Sequence, residues 1–280
     1  MATDEPNLVP DQPKKRWRGW IAVGVAMVVI AAVIVVVAQG GSGGSSPLNA
    51  IAKAAEVTQR EPGGRATIDA KIGVSTSPEE LTETGTLSFD DHGGAQGELT
   101  VKAAGEEIPV KTVVVGGTKS FTTSPLLESK LGGKKWLEID LAEANPELTS
   151  QSSADSSPQE GLKVLEKLIG AEEVGKEEIE GEPTTHYRGT IDSSKKVFGV
   201  NIHLKEPKLD VWIDGQNRVR RVELDYSGSV GKSPITTTTA MKIDYVEFGR
   251  VPKIEAPHPS EVFDGTEKIE EAVRTQAAEG

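Results

Sequence analysis

The sequence contains no cysteine. That absence excludes disulfides, thiolate metal sites and cysteine nucleophiles, and it removes the acylated cysteine that holds many exported bacterial proteins to a membrane. Aromatic residues are scarce: five Phe, three Tyr and four Trp leave few bulky fillers for a core. Histidine is scarce too, and none of His92, His186, His203 and His258 stands three or four residues from another, so a helical zinc pair is excluded. His186 and His203 alternate with apolar neighbours and are expected to face solvent. There is no phosphate-binding loop and no dinucleotide fingerprint.

The motifs that do occur are weak. Gly40-Gly41-Ser42-Gly43-Gly44 matches the form of a nucleophile elbow, but that chemistry needs a strand before the serine and a helix after it, and here the flanks are linker. Ser193-Ser194-Lys195-Lys196 places a lysine where it would deprotonate a serine, yet the companion motifs of that chemistry are missing, and it reads as a solvated turn. Glu172, Glu173, Glu177, Glu178, Glu180 and Glu182 lack the alternating ligands of a calcium loop and read as a solvated face. The expectation is a protein that is not an enzyme, with no catalytic residue, cofactor or metal.

What the chain does have is one long apolar run. Ile21 to Ala38 carries no charge and follows the basic and aromatic stretch Lys14-Lys15-Arg16-Trp17-Arg18-Gly19-Trp20. As a helix it would extend roughly 27 Å, close to the ~30 Å hydrocarbon thickness of a bilayer. The next cation after it is Lys53, so the positive-inside rule keeps residues 1–20 in the cytoplasm and exports the rest. Val36-Val37-Ala38 also offers small residues for signal cleavage before Gln39, but the apolar core is longer than the ~7–15 residues of a secretory signal. Four of the 31 cations and three of the 43 acids lie in the first twenty residues, leaving 27 against 40 and an exported net charge of about −13. Such a surface disfavours nucleic acid and anionic headgroups as partners. An exported domain without disulfides suits a bacterial envelope.

Residues 39–46 are a Gly/Ser tether, so the exported domain is expected over 47–255, with a tail or helix over 256–280. Leu48 to Gln59 has helical spacing after Ser46-Pro47. The period then changes to two: Ile68, Ala70, Ile72 and Val74 alternate with polar neighbours, as do Leu87 with Phe89, Leu99 with Val101 and Ala103, and Ile108 with Val110, with Gly-containing turns at Asp91-His92-Gly93-Gly94 and Ala104-Gly105. Further strands are expected at 111–115, 118–123, 135–141, 184–191, 198–204, 208–213, 218–226 and 236–248, with a hairpin at Asp214-Gly215-Gln216-Asn217. A Ser-rich stretch over 143–157 suits a mobile lid, and a helix is expected over 158–169 with Leu162, Leu165, Leu168 and Ile169 on one face. Glu261 to Thr275 reads equally as a weakly apolar helix around Val262, Ile269 and Val273 or as a frayed tail. The fold class is mainly β (α+β): a curled antiparallel sheet with helices on its concave face, after one transmembrane helix.

If Ile68, Ile72, Leu87, Phe89, Leu99, Val101, Phe121, Leu137, Ile139, Tyr187, Val211, Ile213, Val222 and Leu224 share one face of that sheet, helices such as the one carrying Leu165 must cover them or a ligand must occupy them.

Three stretches, 132–141 (GGKKWLEIDL), 182–192 (EPTTHYRGTID) and 210–222 with DVWID followed by RVRRV, resemble the actinobacterial lipoproteins of the LppX/LprG family, relatives of the carrier LolA. The resemblance covers about 47–255. It implies a half-barrel wrapped around helices, with a cavity for acyl chains, and hence a carrier or sensor of lipids or lipoglycans. This sequence departs from the lipoprotein members by lacking the lipidated cysteine and having the apolar segment instead. The expected function is a membrane-anchored, extracytoplasmic lipid-binding or carrier protein; the alternative is an envelope sensor or protein-interaction module of the same fold without lipid.

Overall fold

The computed structural model describes residues 46–140, 143, 168–191, 202–230 and 235–268. The apolar segment at 21–38, most of the Ser-rich stretch, Leu165 and Ser193 to Lys196 lie outside them. Among the described residues no helix is long and apolar enough to cross a membrane.

Helix α1, Pro47–Gln59, begins where the sequence signals it. The Ser46 hydroxyl accepts the Asn49 N–H at 3.3 Å, and Pro47 takes the first turn, where a missing N–H costs nothing. Ile51, Ala54, Ala55 and Thr58 form its buried stripe.

Strands follow as two meanders. The first comprises β1 Gly63–Val74, β2 Leu81–Asp90, β3 Ala95–Ala103, β4 Glu106–Val115, β5 Lys119–Thr123 and, after the short α2 Pro125–Glu128, β6 Trp136–Asp140. The second comprises β7 Leu168–Ile179, β8 Glu182–Ile191, β9 Ile202–Asp214, β10 Val219–Val230 and β11 Thr237–Phe248. Antiparallel pairing of β1 with β11 joins them into one twelve-stranded sheet, in the order β12-β6-β5-β4-β3-β2-β1-β11-β10-β9-β8-β7. The twelfth strand, β12 Val262–Asp264, follows the 3-10 turn Pro259–Glu261 and runs parallel to β6. Among the described residues the result is a mainly β, open curled sheet with few helices.

The tight turns carry the backbone signature of two-residue hairpins. Ala104 and Gly105 join β3 to β4 with φ of 53° and 77°, and Glu180 and Gly181 join β7 to β8 with φ of 51° and 81°. Positive φ at both central positions matches the right-handed twist of the flanking strands.

Several expectations are corrected. The two strands expected at 108–110 and 111–115 are one, β4, with Pro109 inside it. Pro109 is tolerated because β5 pairs only with Lys111 to Val115, so β4 has an open edge beside the proline. Likewise 198–204 and 208–213 merge within the described residues into β9, and Pro207 falls where the β9–β10 register shifts. The helix expected over 158–169 does not reach its stated end, because Leu168 opens β7 opposite Ile191. The segment from Glu261, open between helix and tail in the sequence, begins as neither: Val262 to Asp264 extend along β6, and the Lys135 amine bonds Glu261 at 2.7 Å beside that pairing.

Candidate functional site

The register sorts the side chains into two faces. On the inner face, the one α1 covers, Ile68 of β1 stands between Ile243 of β11 and Gly85 of β2, and Leu99 of β3 follows Gly85. The next row runs Leu209, Leu224, Met241, Ala70, Glu83, Val101 and Ile108. A Cβ at Gly85 would come within 2.6 Å of the Leu99 side chain, and one at Gly97 within 2.6 Å of the Leu87 side chain. The two leucines therefore lie over neighbouring glycines, where a side chain would collide with them.

Most of the expected residues come together here. Ile68, Leu87, Leu99, Val101, Val211, Ile213 and Leu224 are buried in one cluster with Ile51, Ala54 and Ala55 of α1, and Ile72, Phe89, Tyr187 and Val222 pack half-buried against it. Leu137 and Ile139 continue the same face on β6, opposite Thr122 and Ser120 of β5. Phe121 does not belong. It pairs with Val113 and Glu138, so it points to the outer face, where it packs with Val113 and Ile254. Ser120, Phe121, Thr122 and Thr123 are all buried, so polarity did not mark which side of β5 faces inward.

One inner-face residue was missed. Glu83 shares the parity of Leu81 and Leu87, and it is 1% exposed between Ala70 and Val101. Neither carboxyl oxygen has a hydrogen-bond partner among the described residues. Burial alone pushes the group up to about 8, so its neutral form predominates at pH 7. A neutral carboxyl is at once an O–H donor and a carbonyl acceptor. The signal was available in Leu81-Thr82-Glu83-Thr84-Gly85-Thr86-Leu87, where the threonines mark the outer side.

One end of this face is aromatic and cationic. Tyr245, pushed up to about 12 by burial, meets Phe89 edge-on at 6.0 Å and stacks on Phe248 at 6.2 Å. The Arg218 and Arg220 guanidinium groups lie 4.7 and 5.0 Å from the Phe248 ring centre. Asp214 accepts from both arginines. The turn is tied to α1 by the Val219 N–H, which donates to the Thr58 hydroxyl at 2.8 Å.

The outer face is polar but not simply solvated. His186 has the outward parity expected of it, yet it is buried rather than exposed: the Trp212 ring stacks on it at 4.2 Å, and Glu177 and Asp210 flank its two nitrogens at 3.1 and 2.6 Å. Trp212 donates to Glu177 at 3.1 Å, and Arg221 pairs with Asp244 beside it. This network clips the edge strands β7 to β9 together. Among the described residues no group of His, Asp and Glu is placed to hold a metal ion. A depression of about 370 Å³ near Lys71, Lys205, Lys208, Glu80 and Asp225 carries both signs of charge.

The described residues form an apolar sheet face with helix α1 laid on it, and sequence comparison supplies the family. The LppX_LprAFG lipoprotein family matches residues 68–245, and the chain belongs to it. It is 24% identical over 270 residues to an uncharacterized 31.2 kDa protein of Streptomyces griseus from the rplA-rplJ intergenic region, covering 83% of this chain and 85% of that one. Among solved structures it resembles the Mycobacterium tuberculosis lipoprotein LppX at 14% identity and a TM-score of 0.42, covering 75% of this chain and 98% of that one. It also resembles LprF from Mycobacterium bovis at 16% identity and a TM-score of 0.41, covering 78% and 99%. Membership of a lipoprotein family implies an extracytoplasmic domain.

Proposed function

We propose that this protein holds the acyl chains of an envelope lipid or lipoglycan against the inner face of its sheet, as a membrane-anchored carrier or local acceptor. In this reading residues 1–20 are cytoplasmic, 21–38 span the membrane, 39–46 are the tether, 47–255 bind lipid and 256–280 are the C-terminal segment. A fixed anchor favours local capture and handover over free shuttling.

The observation that carries the reading is the extent of the apolar face. Helix α1 packs chiefly across β7 to β10, whereas the apolar rows continue through β11, β1, β2, β3 and β4. These rows are already buried, Leu87 and Val101 to 1% exposure, so in this reading acyl chains enter against the face rather than onto bare surface, and its apolar extent suits them. Each buried CH₂ contributes ~0.8 kcal/mol, so a sixteen-carbon chain offers on the order of 12 kcal/mol before ordering costs.

The test fills the face. Val101→Trp and Val222→Trp are expected to lower the lipid recovered per protein while the thermal midpoint stays near that of wild type, because each indole takes space a chain would occupy. A solid core gives the reverse balance, since overpacking costs ~1–3 kcal/mol or more. Unchanged lipid with a collapsed midpoint would remove the carrier reading.

A further inference from the structure

We infer that Glu83 is the polar contact for a lipid whose ester carbonyl is buried along with its acyl chains, so that the inner face selects an esterified lipid over bare hydrocarbon. The inference rests on the acyl-chain reading above.

Glu83 is the carboxylate in an otherwise apolar row, with Met241 and Ala70 on one side and Val101 and Ile108 on the other. An unpaired buried carboxyl is among the more costly features a core can carry, and a leucine or methionine would fill the position without that cost. Nothing in the packing of the described residues requires a carboxyl there: its strand neighbours across the sheet are alkyl, and neither oxygen holds a backbone group or a cation. Its surroundings are also small. Ala70 lies directly across in β1, and Gly85, two positions along β2, presents no side chain at all.

The chemistry narrows the partner. Burial keeps the carboxyl protonated, so it presents an O–H to an acceptor and no charge to a counter-ion. An ester carbonyl is an acceptor that acyl lipids carry directly at the head of the chain, and its hydrogen bond to Glu83 transfers no proton and leaves no unmatched charge in the apolar face. A cationic group would instead need the ionised carboxylate.

The experiment uses the full chain in dodecyl maltoside micelles, with radiolabelled dipalmitoylglycerol and hexadecane as probes, on wild type, Glu83→Gln and Glu83→Met. Glutamine keeps a donor and an acceptor at similar volume, whereas methionine keeps only the volume. The expected result is that Glu83→Met binds dipalmitoylglycerol about tenfold more weakly than wild type and hexadecane more tightly, while Glu83→Gln recovers dipalmitoylglycerol binding to within about threefold. If Glu83→Met holds dipalmitoylglycerol as wild type does, or Glu83→Gln is as weak as Glu83→Met, the inference is overturned and the carrier reading survives. If wild type binds neither probe, the carrier reading fails and the inference with it.

Discussion

Replacing Glu83 by methionine is expected to raise the unfolding free energy of the ligand-free protein by on the order of 3 kcal/mol at pH 8, a gain of several degrees in thermal midpoint. The direction follows from the site: the substitution removes two carboxyl oxygens without partners and fills the same space with apolar atoms. The gain depends on pH in a defined way. The folded protein holds the Glu83 proton up to about pH 8, whereas the unfolded chain releases it above the ordinary value of 4.5. Between those values the native state binds the extra proton, so wild-type stability falls as pH rises, by up to ~1.4 kcal/mol per pH unit, and levels off above the native value. Below about pH 4.5 the charge penalty vanishes and the variant should approach wild type. Thermal scans of both proteins from pH 4 to pH 9 check this; parallel curves would show that Glu83 has a partner in solution.

The opposite sign and a larger effect are expected at Asp214. Its Oδ1 accepts the backbone N–H groups of Gln216 and Arg218, each at 2.9 Å, and its Oδ2 accepts from the Arg218 and Arg220 side chains, each at 2.9 Å. Asp214→Ala strips all four donors at once. Arg220 is 7% exposed and would be left as a buried charge that keeps, among the described residues, a 3.6 Å contact to Glu182, a 3.5 Å bond to the Tyr245 carbonyl and the Phe248 ring. Breaking a buried pair in this way costs ~3–5 kcal/mol, and urea denaturation of the variant is the check. Burial works to raise the Asp214 carboxyl, but the backbone N–H groups and both arginines outweigh it and hold it below the ordinary 3.8. Asp90 is held low in the same sense, burial being outweighed by the N–H groups of Ile254, Gly94 and His92. These two contribute stability that is present above about pH 4 and lost as pH falls further, whereas the cost of burying Glu83 grows as pH rises from about 4.5 to about 8. Wild-type stability should therefore peak in mildly acidic solution.

The sheet was legible in the sequence wherever apolar and polar residues alternate with clear turn residues between them. Ile68 to Val74, Leu99 to Ala103 and the Asp214 to Asn217 turn stand where they were expected. The strand β7 was hidden because Glu172, Glu173, Glu177 and Glu178 depress its β-propensity. Its place explains them: β7 is the last strand of the sheet, and exposed charges on an edge strand discourage pairing with another chain. With β7 unrecognised, Glu180-Gly181 passed as part of an acidic run rather than as a hairpin turn. The three-residue β12 is too short to have a period, and its pairing with β6 comes from more than a hundred residues away.

The candidate site was legible as a face but not in its chemistry. Alternation placed the apolar members, and it failed at Phe121 because β5 buries both of its sides. The same alternation pointed Glu83 inward, but a glutamate among threonines reads as surface until Leu81 and Leu87 are counted on its side. His186 shows the converse error. Its parity faces outward, yet a stacked tryptophan and two carboxylates cover it, and period two carries no information about such cover.

The most direct measurement of the central claim is native mass spectrometry of the full chain released from its own membranes in dodecyl maltoside. The account predicts a wild-type population heavier than the polypeptide by the mass of an esterified acyl lipid, with that population depleted in Val101→Trp. Wild type at the bare polypeptide mass, indistinguishable from Val101→Trp, would contradict it.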